Sequence, residues 1–362
     1  MAAIRRVKGT IGDRMNFLLS EEHIQFKDLL RDFFGRHFAG ENIKKFLFEN
    51  RTEKTSLTLN TIWEEFSELG ALSGGVKEVY GGLGLGFLNH VILISESARV
   101  LAPLPILETL CFGILPLEAV LIGSTESKKN LLEILEGLMT GEIIAAGIVE
   151  KDFISELGDQ LFFQAGEKLC RMSLAGRTGS ENTLEGAELI RARRSLAKIE
   201  NEEELGTISD LRSLELSRLV LASAELIAVA RAAEEMTLEF VRTRKQFGVT
   251  IETFQAIQHK LADVRVKLDS AESLLNFAGW AKDNSPGQFE ESALSCFIHA
   301  QQISKSVVEE CLQLHGGMGF TWECNIHLYL RRVLSVSLWF GGSDKLAIEL
   351  TELENTPSVG YQ

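Results

Sequence analysis

The residues best suited to chemistry lie in two segments of the C-terminal half. One runs Arg242-Thr-Arg-Lys-Gln-Phe-Gly-Val-Thr-Ile-Glu-Thr-Phe-Gln-Ala-Ile-Gln-His-Lys-Leu-Ala-Asp263, the other Gln313-Leu-His-Gly-Gly-Met-Gly-Phe-Thr-Trp-Glu323. Arg244 offers a fixed positive charge at a helix end, which suits a pyrophosphate in an otherwise acidic protein. Phe247 supplies a flat apolar face, and Gly248 a tight exit. Gln255 and Gln313 each donate and accept hydrogen bonds, as a ribose or adenine edge requires. Gly316, Gly317 and Gly319 let a ligand approach the backbone closely. Singly, each of these residues reads equally well as a solvated helix end, a core aromatic or a C-cap glycine. Together they read as the edge of a nucleotide site.

The two segments resemble the signature of the acyl-CoA dehydrogenase family: an Arg-x-x-Phe-Gly element, a Phe-Gln-Ala-Ile-Gln helix start and a Gln-x-x-Gly-Gly-x-Gly-Phe turn. Trp63 and Glu68-Leu-Gly70 also fit, so the resemblance covers nearly the whole chain. It implies FAD as cofactor and an α,β-dehydrogenation of acyl-CoA thioesters. It also implies that Arg244, Gln246, Phe247, Gln255, Gln313, Gly316 and Gly317 hold the adenosine diphosphate end of a neighbouring subunit's FAD, in trans.

The elements that would serve the chain's own flavin depart from the family pattern. A hydroxyl- and glycine-rich strand is expected where this sequence reads Ala145-Ala-Gly-Ile-Val-Glu-Lys-Asp-Phe-Ile-Ser155, and no tryptophan lies between Trp63 and Trp280. The reaction needs a carboxylate to take the α-proton. Counting from Arg331-Arg332 puts Phe340 at the usual glutamate position and Gly342 at the following threonine. Counting back from Gly248 puts Arg218, or Ser217 in a slipped register, at the alternative position on the preceding helix. No base is therefore expected. Glu215 and Asp344 each lie one turn away, and a turn is roughly 5 Å, beyond proton-transfer reach.

These departures favour a subunit of a heteromeric acyl-CoA dehydrogenase, with a partner subunit that carries the base. The partners so implied are that subunit, an acyl-CoA and an electron-transferring flavoprotein. Alternatives are a homo-oligomeric enzyme with a displaced base and a flavin-free structural paralogue.

The elements that must position these residues are mainly helical. Proline is scarce, at 5 in 362 residues. The expected fold is acyl-CoA dehydrogenase-like: an N-terminal helical domain over 1–143, a reduced β domain over 144–205 and a C-terminal four-helix bundle over 206–362. Ser20 caps a first helix rich in Phe26, Leu29, Leu30, Phe33 and Phe34, and a second runs from Ile62 to Leu69. Gly81, Gly82 and Gly84 suggest a flexible loop, and a third helix carries Val91 to Ala98. Ile143–Val149 reads as one strand, with further strands at Leu161–Phe163, Leu169–Leu174 and Arg191–Ile199. Long helices follow over 214–242, 254–282 and 291–314, with a loop over Asp283–Gln288 and a last helix from Ser343.

The net charge of −14 argues against a nucleic-acid partner. Five cysteines without a Cys-x-x-Cys pair, and histidines without metal spacing, fit a reducing cytoplasm and no zinc site. Glu225 and Arg231 interrupt the long apolar stretch 219–233, which reads as a bundle helix rather than a membrane span. Residues 1–14, with Arg5, Arg6, Lys8 and Arg14, lack the apolar core of a secretory signal and read as a dispensable extension.

Overall fold

In the computed structural model, the described residues are 19–38, 53–123, 128–146, 148–150, 153–155, 160–174, 193–195 and 202–355. The extension 1–14 lies outside them. Ser20 opens α1 (Glu21–Phe38), its hydroxyl accepting the His23 N–H at 3.3 Å. Leu30, Phe33, Phe34 and Phe38 form the buried stripe of α1, and Trp63 and Phe66 of α2 (Glu53–Glu68) pack against it. The aromatic pair Phe33–Phe34 is thus core, as is Phe162–Phe163.

The glycine segment before α3 (Phe87–Arg99) is not a flexible loop. Its backbone folds back on itself, with Leu83 N–H bonding Ser73 O at 3.0 Å and Gly84 N–H bonding Val76 O at 2.8 Å. A Cβ on Gly82 would sit 2.2 Å from the Val76 carbonyl oxygen, so that glycine is required by close packing. Helix α4 (Ile106–Gly123) follows Pro105 and contains a π-helical turn at Thr109–Ile114. It is 18 residues long and apolar enough to cross a bilayer, but 72% of it is buried in this fold. Helix α5 (Lys129–Met139) completes the N-terminal layer.

Ile143–Val149 does not form one strand. It divides into β1 (Ala145–Ala146) and β2 (Ile148–Glu150), which belong to different sheets. β2 pairs with β3 (Phe153–Ser155), and β3 with β6 (Arg193–Ser195). β1 lies in a four-stranded sheet beside β4 (Gln160–Ala165), β5 (Lys168–Ser173) and β7 (Glu203–Thr207), in that order. Apart from the two-residue parallel pairing of β1 with β4, the ladders among described residues in these two sheets are antiparallel. Phe162 joins the main core, while Leu161, Phe163, Cys170 and Met172 form a second apolar cluster, the period-2 alternation of a sheet buried on both faces.

Helix α6 (Leu211–Thr243) is the axis of the C-terminal region, buried along most of its length. Asp210 caps it, accepting the Ser213 N–H at 2.9 Å. Around it pack α3, α7 (Gln255–Asn284), α8 (Pro286–His315) and α9 (Ile326–Trp339). The charges within its apolar stretch are matched. Arg231 donates to Glu234, Asp269 and Glu272 at 2.6–2.8 Å, and Glu225 accepts from Arg332 of α9. No loop spans 283–288. Ser285 alone separates α7 from α8, because Pro286 occupies the first helical position, where its missing N–H costs nothing. Helix α10 (Ser343–Asn355) ends the described chain.

Candidate functional site

Both motif segments come together at one end of the bundle. α6 stops at Thr243, and Arg244 turns into extended conformation with its carbonyl accepting the Ile251 N–H at 2.9 Å. That contact closes a small hairpin of β8 (Lys245–Gln246) and β9 (Val249–Thr250), paired Lys245 to Thr250 and Gln246 to Val249. Its two turn residues, Phe247 and Gly248, have φ of 53° and 85°. Positive φ at both centres marks a type I′ turn, where Asn-Gly is the usual sequence. A phenylalanine there is strained by roughly 1–2 kcal/mol. Phe247 is also 94% exposed, in a T-shaped contact with Phe254 at 6.3 Å.

The second segment reaches this hairpin through a stack. His315, the last residue of α8, is buried and lies flat on Phe240 of α6, centroids 4.3 Å apart. Its Nδ1 is 2.8 Å from the Cys311 carbonyl, so that nitrogen carries the proton. Burial lowers the affinity of the imidazole for a second one. The ring fixes the turn Gly316–Phe320 beside the end of α6. Gly316 takes φ of 61°, and nothing lies within 4 Å of a Cβ built on Gly316 or Gly317. Gly319 instead is close-packed, its Cβ position 2.9 Å from Leu312. Arg244, Gln246, Gln255 and Gln313 are all exposed, and their side chains bond no other described residue. Phe320 and Trp322 add apolar surface, 73% and 60% exposed. The set forms an open rim with one cation, several amides, accessible backbone and flat apolar faces.

The positions counted for a catalytic base are linked through two aromatic rings, about two turns from the start of α6. Arg218 donates through Nε to the Cys111 carbonyl in the π-helical turn at 2.8 Å, and through Nη1 to Gln164 of β4 at 3.3 Å. Its guanidinium lies 5.2 Å from the centre of the Phe112 ring. Phe112 stacks on Trp339 at 5.4 Å, Trp339 contacts Phe340 at 5.1 Å, and Phe340 meets Phe297 at 6.4 Å. The two candidate positions are thus the ends of one chain, Arg218–Phe112–Trp339–Phe340. Burial lowers the Arg218 pKa, while nearby Glu215 favours its charge. Glu215 and Asp344 are exposed, and Ser217 is bonded to the Ser213 carbonyl at 2.6 Å. Phe112, Gln164 and Trp339 were not legible as site residues, because nothing in their spacing marks them.

Ala145 and Ala146 are fully buried against β4 and present no hydroxyl. The rim presents the cation, amides and open backbone that a nucleotide would use, whereas β1, among the described residues, presents no hydroxyl.

Known proteins agree with this architecture. The family model for the acyl-CoA dehydrogenase N-terminal domain matches residues 20–142, and that for the C-terminal domain matches 206–351. The chain is similar to acyl-CoA dehydrogenase IpdE2 of Mycobacterium tuberculosis, 24% identical over 86% of this chain and 91% of the relative. It superposes on a chain of the ChsE4-ChsE5 complex from Mycobacterium tuberculosis with a TM-score of 0.78 at 19% identity, covering 95% and 100% of the two chains. A Tcur3481-Tcur3483 steroid ACAD gives 0.74 at 22% identity, covering 92% and 98%. With both family models matched and the helix–sheet–helix order preserved, this chain belongs to the acyl-CoA dehydrogenase family.

Proposed function

We propose that this chain is the base-less subunit of a heteromeric acyl-CoA dehydrogenase and holds its partner's FAD in trans. The observation that carries the reading is the contrast within one bundle. The rim around Phe247 is open and strained, while Arg218 and Phe340, which the sequence count assigns to the carboxylate positions, are packed against aromatic rings. Arg244 would bind the pyrophosphate, and Gln255 and Gln313 the ribose or adenine edge. Gly316 and Gly317 would admit the ligand to the backbone, with Gln246 and Phe247 beside it. FAD, when bound, supplies the acceptor for the hydride leaving the acyl β-carbon. The α-proton then goes to a carboxylate of the partner, and electrons leave to an electron-transferring flavoprotein.

Two of the similar structures are pairs of differently named chains, and one is named as a steroid enzyme, which supports a bulky acyl-CoA as the substrate class. The test is to purify the chain alone and with a co-encoded acyl-CoA dehydrogenase, and to measure bound flavin by absorbance. Flavin in the mixture only is expected. A yellow, active lone chain sinks the proposal. Phe340→Glu in the lone chain should create no dehydrogenation.

A further inference from the structure

A cleft of about 640 Å³ opens at the other end of the bundle, where α6 begins and α7 ends, within the size range of small-molecule sites. Its walls bring together Lys77 from the glycine segment, His90 of α3, Glu118 of α4, Asp210 at the cap of α6, and Lys282 and Asp283 of α7. Leu85 and Ile122, both exposed, form an apolar lip. These groups span more than 200 positions of sequence, and only the fold makes them neighbours.

Several of them have unused bonding capacity. One oxygen of Glu118 accepts the Lys77 N–H at 3.2 Å, and one oxygen of Asp283 accepts the Phe87 N–H at 2.6 Å. Their second oxygens bond no described residue. His90 is 1% exposed, and neither ring nitrogen meets a hydrogen-bond partner. Such a group is costly to bury without a partner. Burial pushes its pKa down to about 4, so the ring is neutral near pH 7 and one nitrogen is an acceptor. Gly75 leaves room for the ring, since a Cβ there would lie 2.5 Å from Nε2.

The charges are unequal. Glu118, Asp210 and Asp283 face Lys77 and Lys282, which leaves one carboxylate in excess. Asp210 is committed to its helix cap, and Lys282 to Ser213. Burial pushes the Glu118 pKa up to about 7 despite the nearby lysines.

We propose that the cleft binds a primary ammonium carried on an apolar body, its three N–H groups shared among Glu118, Asp283 and the acceptor nitrogen of His90. The body lies along Leu85 and Ile122. The cleft lies away from the flavin rim, and although Ser217 lines it one residue before Arg218, none of the binding groups belongs to the Arg218–Phe340 chain. A carboxylate or phosphate ligand would meet the excess negative charge, and a neutral alcohol would leave it uncompensated.

The probe is hexylammonium chloride, titrated calorimetrically into the full chain, alone or in the complex with which it purifies, from pH 5.5 to 8.5. Saturable binding is expected at pH 8, with hexan-1-ol and hexanoate at least about tenfold weaker. Affinity should fall by about tenfold per unit below pH 7 as Glu118 takes up a proton. Glu118 is faced by Lys77 and Tyr80 from the glycine segment and by Lys282 and Asp283 from α7, so the assignment needs a variant. Glu118→Gln should abolish the pH dependence and weaken binding about tenfold or more. Its thermal melt reports whether it folds. If it does not, the pH profile and ligand series of the unaltered protein decide. A flat profile, equal binding of the alcohol, or unchanged affinity in folded Glu118→Gln would overturn the proposal.

Discussion

Two stretches of the same helix, α6, have been left in opposite states. Near Arg218 the guanidinium is held from three sides: Nε donates to a carbonyl in the π-helical turn, Nη1 to an amide oxygen on β4, and a ring lies beneath the charge. Beyond Thr243 the chain does the reverse. It exposes a phenylalanine in left-handed conformation, and amides and an arginine that bond nothing nearby. A residue held in a costly conformation persists only where surrounding structure or a ligand compensates. Here the chain itself compensates little, so the compensation is expected from outside. Among the described residues, the central region holds no non-glycine residue at positive φ.

The comparison can be broken from its closed side first. Arg332 holds α9, and with it Trp339 and Phe340, to Glu225 of α6 through a buried ion pair. Arg332→Ala removes this charge partner from the buried Glu225 and should cost about 3–5 kcal/mol, read from the urea midpoint. On the open side, Arg244→Ala should lose about 1.5–3 kcal/mol of flavin affinity in the assembled complex. The flavin dissociation constant then rises about ten- to a hundredfold, with little change in the melting of the lone chain. Unchanged retention would mean that the rim does not touch the cofactor.

Phe247→Asn sharpens the contrast, because the two effects should have opposite sign. Asparagine tolerates positive φ, so the lone chain should gain about 1 kcal/mol in chemical denaturation, while flavin retention or partner affinity falls. A loss of both would show that the ring supports the fold. The smallest effect is expected from Glu215→Gln and Asp344→Asn. Turnover of the complex should stay within about twofold, since both carboxylates lie outside proton-transfer reach. A hundredfold loss of the chemical step at normal flavin content would locate a displaced base there instead.

Most helices were legible from apolar residues at helical spacing, and the α8 end at Gly316 from its glycines, but α9 (Ile326–Trp339) was not expected despite its spacing. The rim was legible as residue types, but not as a hairpin. Two-residue strands leave no periodicity, and Phe-Gly is not a usual type I′ pair. The loop expected over 283–288 failed because a proline that ends one helix can equally begin the next. The Arg218 contacts cross 107 and 54 positions of sequence, and no local pattern could carry them. The cleft residues were still less visible. His90 and Glu118 are polar positions on largely apolar helices, and their importance comes only from what lies opposite.

The one-residue joint at Ser285 bears on the order in which the molecule assembles. It links two 30-residue helices with almost no loop to close, so contacts beside it form at small entropic cost. Pairing near Ser285 is local in sequence. The rim instead unites Phe240 with His315, and each later contact there must wait for long stretches of chain to be brought in. Folding is therefore expected to start at the joint and finish at the rim. Conservative truncations such as Phe289→Leu should slow refolding, and Phe240→Leu should mainly speed unfolding. Equal partition of both effects in stopped-flow kinetics would remove this ordering. The surface offered to a partner would then be the last part of the chain to acquire its shape.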